Sequence, residues 1–441
     1  MIKSIQIKNF KSIKKLTLNL SKFNILCGEN ASGKTSIIHS ILIASQKIKN
    51  DRTCDGQIIK IGSLSELKNV DVGEEIYIKI KSDTEKELLF KRNDNPKVNQ
   101  KEILVVNPEI DNIPFEKTLF YLASERMGVK DIYSKGNYLF GSNGEAVIDF
   151  FYQHREDFMP EKYMEFLKKN MKDIPVVENP KFSEHVRYWM EYVTSETISI
   201  NSIDKTNQYI LTYGKNQVRP INTGSGYSFL LPIIVVCLGA ILIGGEMPTV
   251  IIENPEIYLH PIAQQRMFNF FSMCKEFLQL VIETHSEHLL KNAIDKKNSD
   301  IKVFVAKLVD KETKLEKLNS RIFKTTPVAY AEVIYRAFNI KTSDLHVLLF
   351  SLAHEKYNQS KSKDETSLNE FDNYLKGQDG VRLKKWVHKR SDGRETTYET
   401  LPTFIRNKID HPEAKTLSGR KYKFTEEEFD SSINFLYKLL N

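Results

Sequence analysis

The clearest chemistry in this 441-residue chain lies in one run, Gly28-Glu29-Asn30-Ala31-Ser32-Gly33-Lys34-Thr35, a full G-x-x-x-x-G-K-T. The two glycines let the backbone curl so that its N–H groups converge on an anion. Lys34 would neutralise the β- and γ-phosphates of a nucleoside triphosphate, and the Thr35 hydroxyl would ligate Mg2+. Ser36 follows in the first turn of a helix whose N-terminal dipole adds positive potential. The pattern points to ATP and Mg2+ held by residues 28–36.

Two apolar runs end in groups suited to the same chemistry. The stretch TVIIENPEIYLHP (249–261) places an acid, Glu253, at the end of a buried strand, where a carboxylate can hold Mg2+ through water. The stretch LQLVIETHS (278–286) ends in His285, which could contact a γ-phosphate or orient the attacking water. Taken alone, a strand-end histidine is more often structural. Here three strand ends are expected to converge at the edge where open α/β sheets bind ligands.

The elements that must position these groups follow from periodicity. FNILC (23–27) reads as a short buried strand before the glycine loop, and SIIHSILIASQ as the apolar helix after it. Runs at 56–106, including IYIKI and EILVV, suggest an antiparallel β-subdomain, and 145–192 an amphipathic helical insertion. Residues 229–310 alternate helix and buried strand, which argues for a parallel α/β sheet. After residue 325 the pattern turns helical. The expected architecture is α/β: a nucleotide-binding head over 1–325 and a small all-α domain over 326–441. The last helix carries a capping-box start, Thr425 and Glu428.

The order of glycine loop, Gly/Ser turn before an apolar helix, hhhhE-x-P-E-x-x-L-H-P and T-H-S resembles the ABC-type ATPase head of the SMC, Rad50 and OLD-like branch. Within that branch it is most similar to the compact AAA15-type prokaryotic ATPases of antiphage defence, such as the ATPase of Septu systems. The resemblance covers about residues 1–325. It implies that the turn with Gly224, Ser225 and Gly226 is a signature loop contacting the γ-phosphate on an opposite protomer. A plain helix N-cap is the alternative. It also makes Arg126, in YLASERMG, a functional candidate. The chain departs from the family where the water-polarising glutamate usually follows the Mg2+ acid, because Asn254 stands there. An amide cannot act as a general base, so Glu256 is expected to contribute to a slow hydrolysis. No sustained heptads lie between Lys34 and the signature turn, so a compact head that sandwiches ATP as at least a dimer is expected.

In the C-terminal part, Arg406-Asn407-Lys408-Ile409-Asp410-His411 resembles the R-N-x-x-x-H motif of HEPN ribonucleases, in which Arg406 and His411 would flank a scissile RNA phosphate. Among ten histidines such a spacing also arises by coincidence, so the pattern alone is weak. The nearby VRLKKWVHKR (381–390) could meet RNA phosphates or be a solvated face. The functional expectation is an ATP-driven defence switch controlling a toxic nuclease, either its own or a separate effector encoded nearby. A non-nucleolytic scaffold and an SMC-like DNA-repair ATPase are the alternatives.

Composition sets looser bounds. There are 64 basic and 57 acidic residues, a net charge of +7, which permits phosphate binding without requiring it. Four scattered cysteines exclude a disulfide scaffold or zinc ribbon. The start of the chain has no signal-peptide core, so a cytoplasmic location is expected. The apolar segment FLLPIIVVCLGAILIG (229–244) nears the length of a membrane span. It runs directly into a strand, which favours a buried core helix and no membrane partner.

Overall fold

The computed structural model describes residues 1–46, 118–126, 139–171, 178–203, 225–295, 299–318, 330–389, 395–416 and 418–440, with shorter runs at 55–56, 58–61, 67, 76–82, 85–92, 103–106, 132–134, 208–214, 218 and 222. The chain divides into two units, Met1–Lys324 and Thr325–Asn441.

Unit 1 opens with β1 (Ser4–Phe10) and β2 (Ile13–Asn19), followed by β3 (Phe23–Gly28) and α1 (Lys34–Ser45). Next come β4 (Ile76–Lys81), β5 (Glu85–Arg92), β6 (Ile103–Val106), β7 (Leu119–Leu122) and β8 (Ile132–Ser134). The helical insertion comprises α2 (Val147–His154), α3 (Glu161–Asn170) and α4 (Phe182–Thr194). The chain returns through β9 (Ile198–Ile203), β10 (Gln208–Tyr213) and the long α5 (Ser225–Ile243). It then alternates β11 (Thr249–Glu253), α6 (Pro261–Cys274), β12 (Gln279–Glu283) and α7 (Glu287–Asp295), closing with β13 (Ile301–Val309) and β14 (Glu312–Lys317).

Among the described residues, β2-β1-β4-β5-β6 form an antiparallel sheet and β14-β13-β3-β12-β11-β7 a second sheet. In the second sheet β7, β11, β12, β3 and β13 run parallel, and β14 turns back antiparallel. Strands β3, β11 and β12 are buried along their whole length, which is why their sequences are continuous apolar runs rather than alternating ones. Strand β12 lies between β3 and β11, and its register sets Glu283 beside both Leu26 and Glu253. The carboxyl ends of three strands therefore meet at one edge. One apolar cluster runs from Ile5, Ile7, Ile78 and Ile80 through Ile37, Ile41 and Leu42 of α1 to Leu26, Ile251 and Val281, so α1 is sandwiched between the two sheets.

Helix α5 contains the apolar segment noted above. Gly226–Ile243 is long and apolar enough to cross a membrane, yet 72% of it is buried inside the fold, against α2, α4, β7 and β11.

Among the described residues, unit 2 comprises α8 (Tyr330–Phe338), α9 (Ser343–Ser360), α10 (Leu368–Lys376), β15 (Leu383–Lys389), β16 (Glu395–Thr400), α11 (Leu401–Asp410) and α12 (Glu426–Leu440). The β15–β16 hairpin corrects the all-α expectation for this unit. Its cause is Trp386, which the sequence reading passed over as part of a basic run. The indole is buried with Leu401, Phe404, Ile405 and Tyr422, and the Thr-rich β16 suits a pleated partner.

Candidate functional site

Gly28 ends β3 with φ +137°, and a Cβ there would lie 2.2 Å from the Ala306 carbonyl oxygen on β13. Gly33 caps α1 with φ +98°, and a Cβ there would lie 2.1 Å from Thr313 Oγ1. Only glycine fits either position. The loop is braced from outside: Thr313 Oγ1 donates to the Ser32 carbonyl at 3.0 Å and lies 2.7 Å from Ser12 Oγ. Ser12, residues Asn30 to Ser36, Glu283 and His285 line a cavity of about 200 Å3. Ser32 Oγ is buried without a hydrogen-bond partner. Glu29 and Asn30 are exposed at the loop tip.

Lys34 is buried and donates to the carbonyls of Gly28 (3.2 Å) and Glu29 (2.8 Å). Burial lowers its pKa, opposed by the Glu283 carboxylate 3.9 Å away. Thr35 Oγ1 lies 3.2 Å from each carboxylate oxygen of Glu283. Burial, and next the neighbouring Glu253 charge, raise the Glu283 carboxyl to about 7.

Glu253, predicted as the Mg2+ acid, sits at the adjacent strand end with both oxygens engaged on the far side. Tyr121 Oη donates to one at 3.0 Å and the Ser124 N–H to the other at 3.4 Å. Burial raises its pKa. Glu256, the predicted base, is half-buried and accepts from Thr284 Oγ1 (2.8 Å) and the His285 N–H (2.7 Å), so it pins the turn that carries His285. His285 lines the cavity, and burial followed by the Lys34 charge lowers its pKa, leaving a neutral imidazole at physiological pH. Asn254 adopts φ +45° while its N–H donates to the Glu283 carbonyl at 2.8 Å. Asparagine tolerates that left-handed conformation better than glutamate, which gives the departure a backbone cause.

Arg126 is buried and bridges Glu253 and the loop after it. Its Nη1 donates to the carbonyls of Glu253 (2.7 Å) and Ala123 (3.1 Å), and its Nη2 to that of Asn254 (2.7 Å). Burial lowers its pKa to about 10, which leaves it charged at neutral pH. Ser225 opens α5, and Gly226 lies so close to the Tyr258 carbonyl that a Cβ would be 2.8 Å from it. The N-terminal turn of α5 at Gly226 thus packs on the loop after β11. Gly224 lies outside the described residues.

The sequence reading passed over Glu283, Tyr121 and Thr313. Glu283 carries the same signal as Glu253, an acid ending a wholly apolar strand, two residues before His285.

The oxygen donors of Thr35 and Glu283 in the cavity suit a hard cation such as Mg2+, with Glu253 one strand further away. Among the described residues no group of three or more His, Cys, Asp or Glu is arranged to hold an ion unaided. An ion here would therefore complete its shell with phosphate oxygens and water.

In unit 2, Arg406 lies on α11 and His411 caps its end, donating its N–H to the Asn407 carbonyl at 2.9 Å. The Arg406 guanidinium is held by Asp410 at 2.9 Å and Asn407 Oδ1 at 3.0 Å. Part of the basic run is also paired, Arg382 with Glu427 (3.1 Å) and Lys384 with Glu428 (2.6 Å).

A family model described as AAA ATPase domain matches residues 1–188 and 167–290. Solved structures include an SMC head bound to the C-terminal winged-helix domain of ScpA. It is 14% identical, with a TM-score of 0.45 over 73% of this chain and 98% of that one. The SMC head domain from Thermotoga maritima is 12% identical, with a TM-score of 0.40 over 72% and 99%. The SMC head derived from Pyrococcus furiosus, with an extended coiled coil and bound to the C-terminal domain of ScpA, is 14% identical. Its TM-score is 0.44 over 72% and 96%. No curated protein matches the chain.

Proposed function

Because this chain belongs to the AAA ATPase domain family, we propose that it is an ABC-type ATPase switch, binding Mg2+–ATP at residues 28–36 and hydrolysing it slowly. The observation that carries this reading is the convergence of Lys34, Thr35, Glu283 and His285 on one cavity at the strand-end edge. When bound, Mg2+ would supply charge neutralisation between the phosphates. The chain's own groups do the rest. Loop N–H groups and Lys34 hold the phosphates, Thr35 and the strand-end carboxylates orient the ion, and neutral His285 faces the attacking water. Glu256 acts first by fixing His285, and it is the carboxylate, two residues past Asn254, that we assign as base. Slow turnover suits a protein in which the ATP-bound state is itself the signal.

In this reading two heads close over ATP through Gly224, Ser225 and Gly226 of the opposite protomer. Ser225→Arg should then abolish ATP-induced dimerisation in analytical ultracentrifugation while leaving monomer ATP affinity intact. Equal dimerisation of the variant would refute the sandwich.

The role we propose for this switch is prokaryotic antiphage defence, in which the ATP-bound assembly controls a nuclease. The ion pair Arg406–Asp410 favours a separate effector over an intrinsic ribonuclease, since a scissile phosphate would have to displace Asp410. If the intrinsic reading holds, Arg406→Ala and His411→Ala abolish RNA cleavage by the purified chain. Cleavage that persists in both would rule out Arg406 and His411 as its agents, and the scaffold reading stands if the purified chain cleaves nothing without a co-expressed partner.

A further inference from the structure

We infer that Glu283 makes nucleotide binding dependent on the divalent cation, acting as the carboxylate that faces the metal edge of the phosphate site. This rests on the nucleotide reading above and assigns a role that Glu253 was expected to fill alone.

The contrast between the two acids carries the inference. Both end parallel strands, and they are paired in register. Only Glu283 lines the cavity. Its strand is hydrogen-bonded directly to β3, which delivers the phosphate loop, whereas the strand of Glu253 is one further away. Glu283 presents both oxygens to the Thr35 hydroxyl at 3.2 Å, and that hydroxyl has a single hydrogen to give. One carboxylate oxygen therefore keeps its acceptor capacity toward the cavity. Both Glu253 oxygens, by contrast, take donors from Tyr121 and Ser124. A second observation marks the cavity as built for a polar ligand: Ser32 Oγ, in a residue 1% exposed, is left without a partner there.

The consequence follows from charge. A triphosphate entering alone brings its anionic oxygens against a carboxylate in a partly desolvated cavity, where repulsion is stronger than in water. A divalent cation between them turns that repulsion into ligation, with the carboxylate oxygen and the Thr35 hydroxyl supplying hard oxygen donors. Without metal, Glu283 works against the nucleotide. With metal, it works for it.

The test is equilibrium binding of a fluorescent ATP analogue to the full chain, in Mg2+ and in EDTA. The wild type is expected to bind more tightly in Mg2+. Glu283→Gln, which keeps shape and hydrogen bonding, should bind about tenfold more tightly than wild type in EDTA and lose most of the Mg2+ enhancement. Glu283→Asp retains the charge but draws it back, so it should keep the weak binding in EDTA and lose part of the gain in Mg2+. Thermal melts of both variants establish that they fold. If Glu283→Gln weakens binding equally in both buffers, or leaves the Mg2+-to-EDTA ratio unchanged, the inference is wrong. If the wild type binds the analogue in neither buffer, the nucleotide reading itself has failed, a separate outcome.

Discussion

Replacing Gly33 by alanine tests how the phosphate loop is held, and Thr313 makes the test quantitative. At φ +98° an alanine loses about 1–2 kcal/mol to left-handed strain. Its Cβ would also lie 2.1 Å from Thr313 Oγ1 and 2.8 Å from Thr313 Cγ2, an overlap costing about 1–3 kcal/mol more. Thr313→Ala alone removes a hydroxyl bonded to the Ser32 carbonyl and to Ser12 Oγ, roughly 1–3 kcal/mol. In the double variant the overlapping atoms are gone while Thr313 Cβ, 3.0 Å away, remains. Gly33→Ala should then cost little beyond its backbone strain, a coupling of about 1–2 kcal/mol. The chain has two tryptophans, Trp189 in unit 1 and Trp386 in unit 2. In a Trp386→Phe background, urea unfolding followed by fluorescence therefore reports the buried Trp189 of the head alone. Additivity of the two substitutions within about 0.5 kcal/mol would refute the proposed contact.

Other expectations are as direct. Arg126→Lys keeps a charge but cannot bridge the Glu253 and Asn254 carbonyls. It should lower kcat with little change in KM and cost about 2–4 kcal/mol of head stability; an unchanged kcat would contradict a positioning role. His346 in unit 2 is buried against Phe350 and Phe429, with Nε2 on Ser432 Oγ and Nδ1 unpartnered, and burial lowers its pKa to about 3. Because the unfolded chain binds the proton more readily, the His346 contribution to unit 2 is whole above about pH 6.5 and is lost as pH falls, by about 2 kcal/mol at pH 5, against an opposite contribution from Glu332, whose carboxyl burial raises to about 7. A His346→Gln variant should lack that slope. Trp386→Ala should destabilise unit 2 by about 3–5 kcal/mol while leaving the head transition, followed by Trp189, in place.

How much of this was legible in the sequence depends on how local each feature is. The phosphate loop could be read because strand, loop and helix are consecutive and each glycine has its own steric reason. The parallel sheet could be read because β3, β11 and β12 are apolar from end to end. Glu283 carries a strand-end signal of its own, but its nearness to Thr35 was hidden, because it exists only through the insertion of β12 between β3 and β11. Thr313 is hidden in the same way, since it reaches Gly33 from nearly three hundred residues on, across the β13–β14 hairpin. In unit 2, Trp386 sat among lysines, and composition outweighed its alternation with Val387. The five Lys/Arg of 381–390 left a phosphate surface and a solvated face equally open, whereas Arg382 and Lys384 are paired with acids of α12.

The central claim is that residues 28–36 hold a nucleotide through Lys34, and isothermal titration of Mg2+–ATP into the wild type and Lys34→Ala tests it most directly. The wild type should bind stoichiometrically and the variant, folded by circular dichroism, should show no measurable binding. Superimposable isotherms from the two proteins would contradict the account.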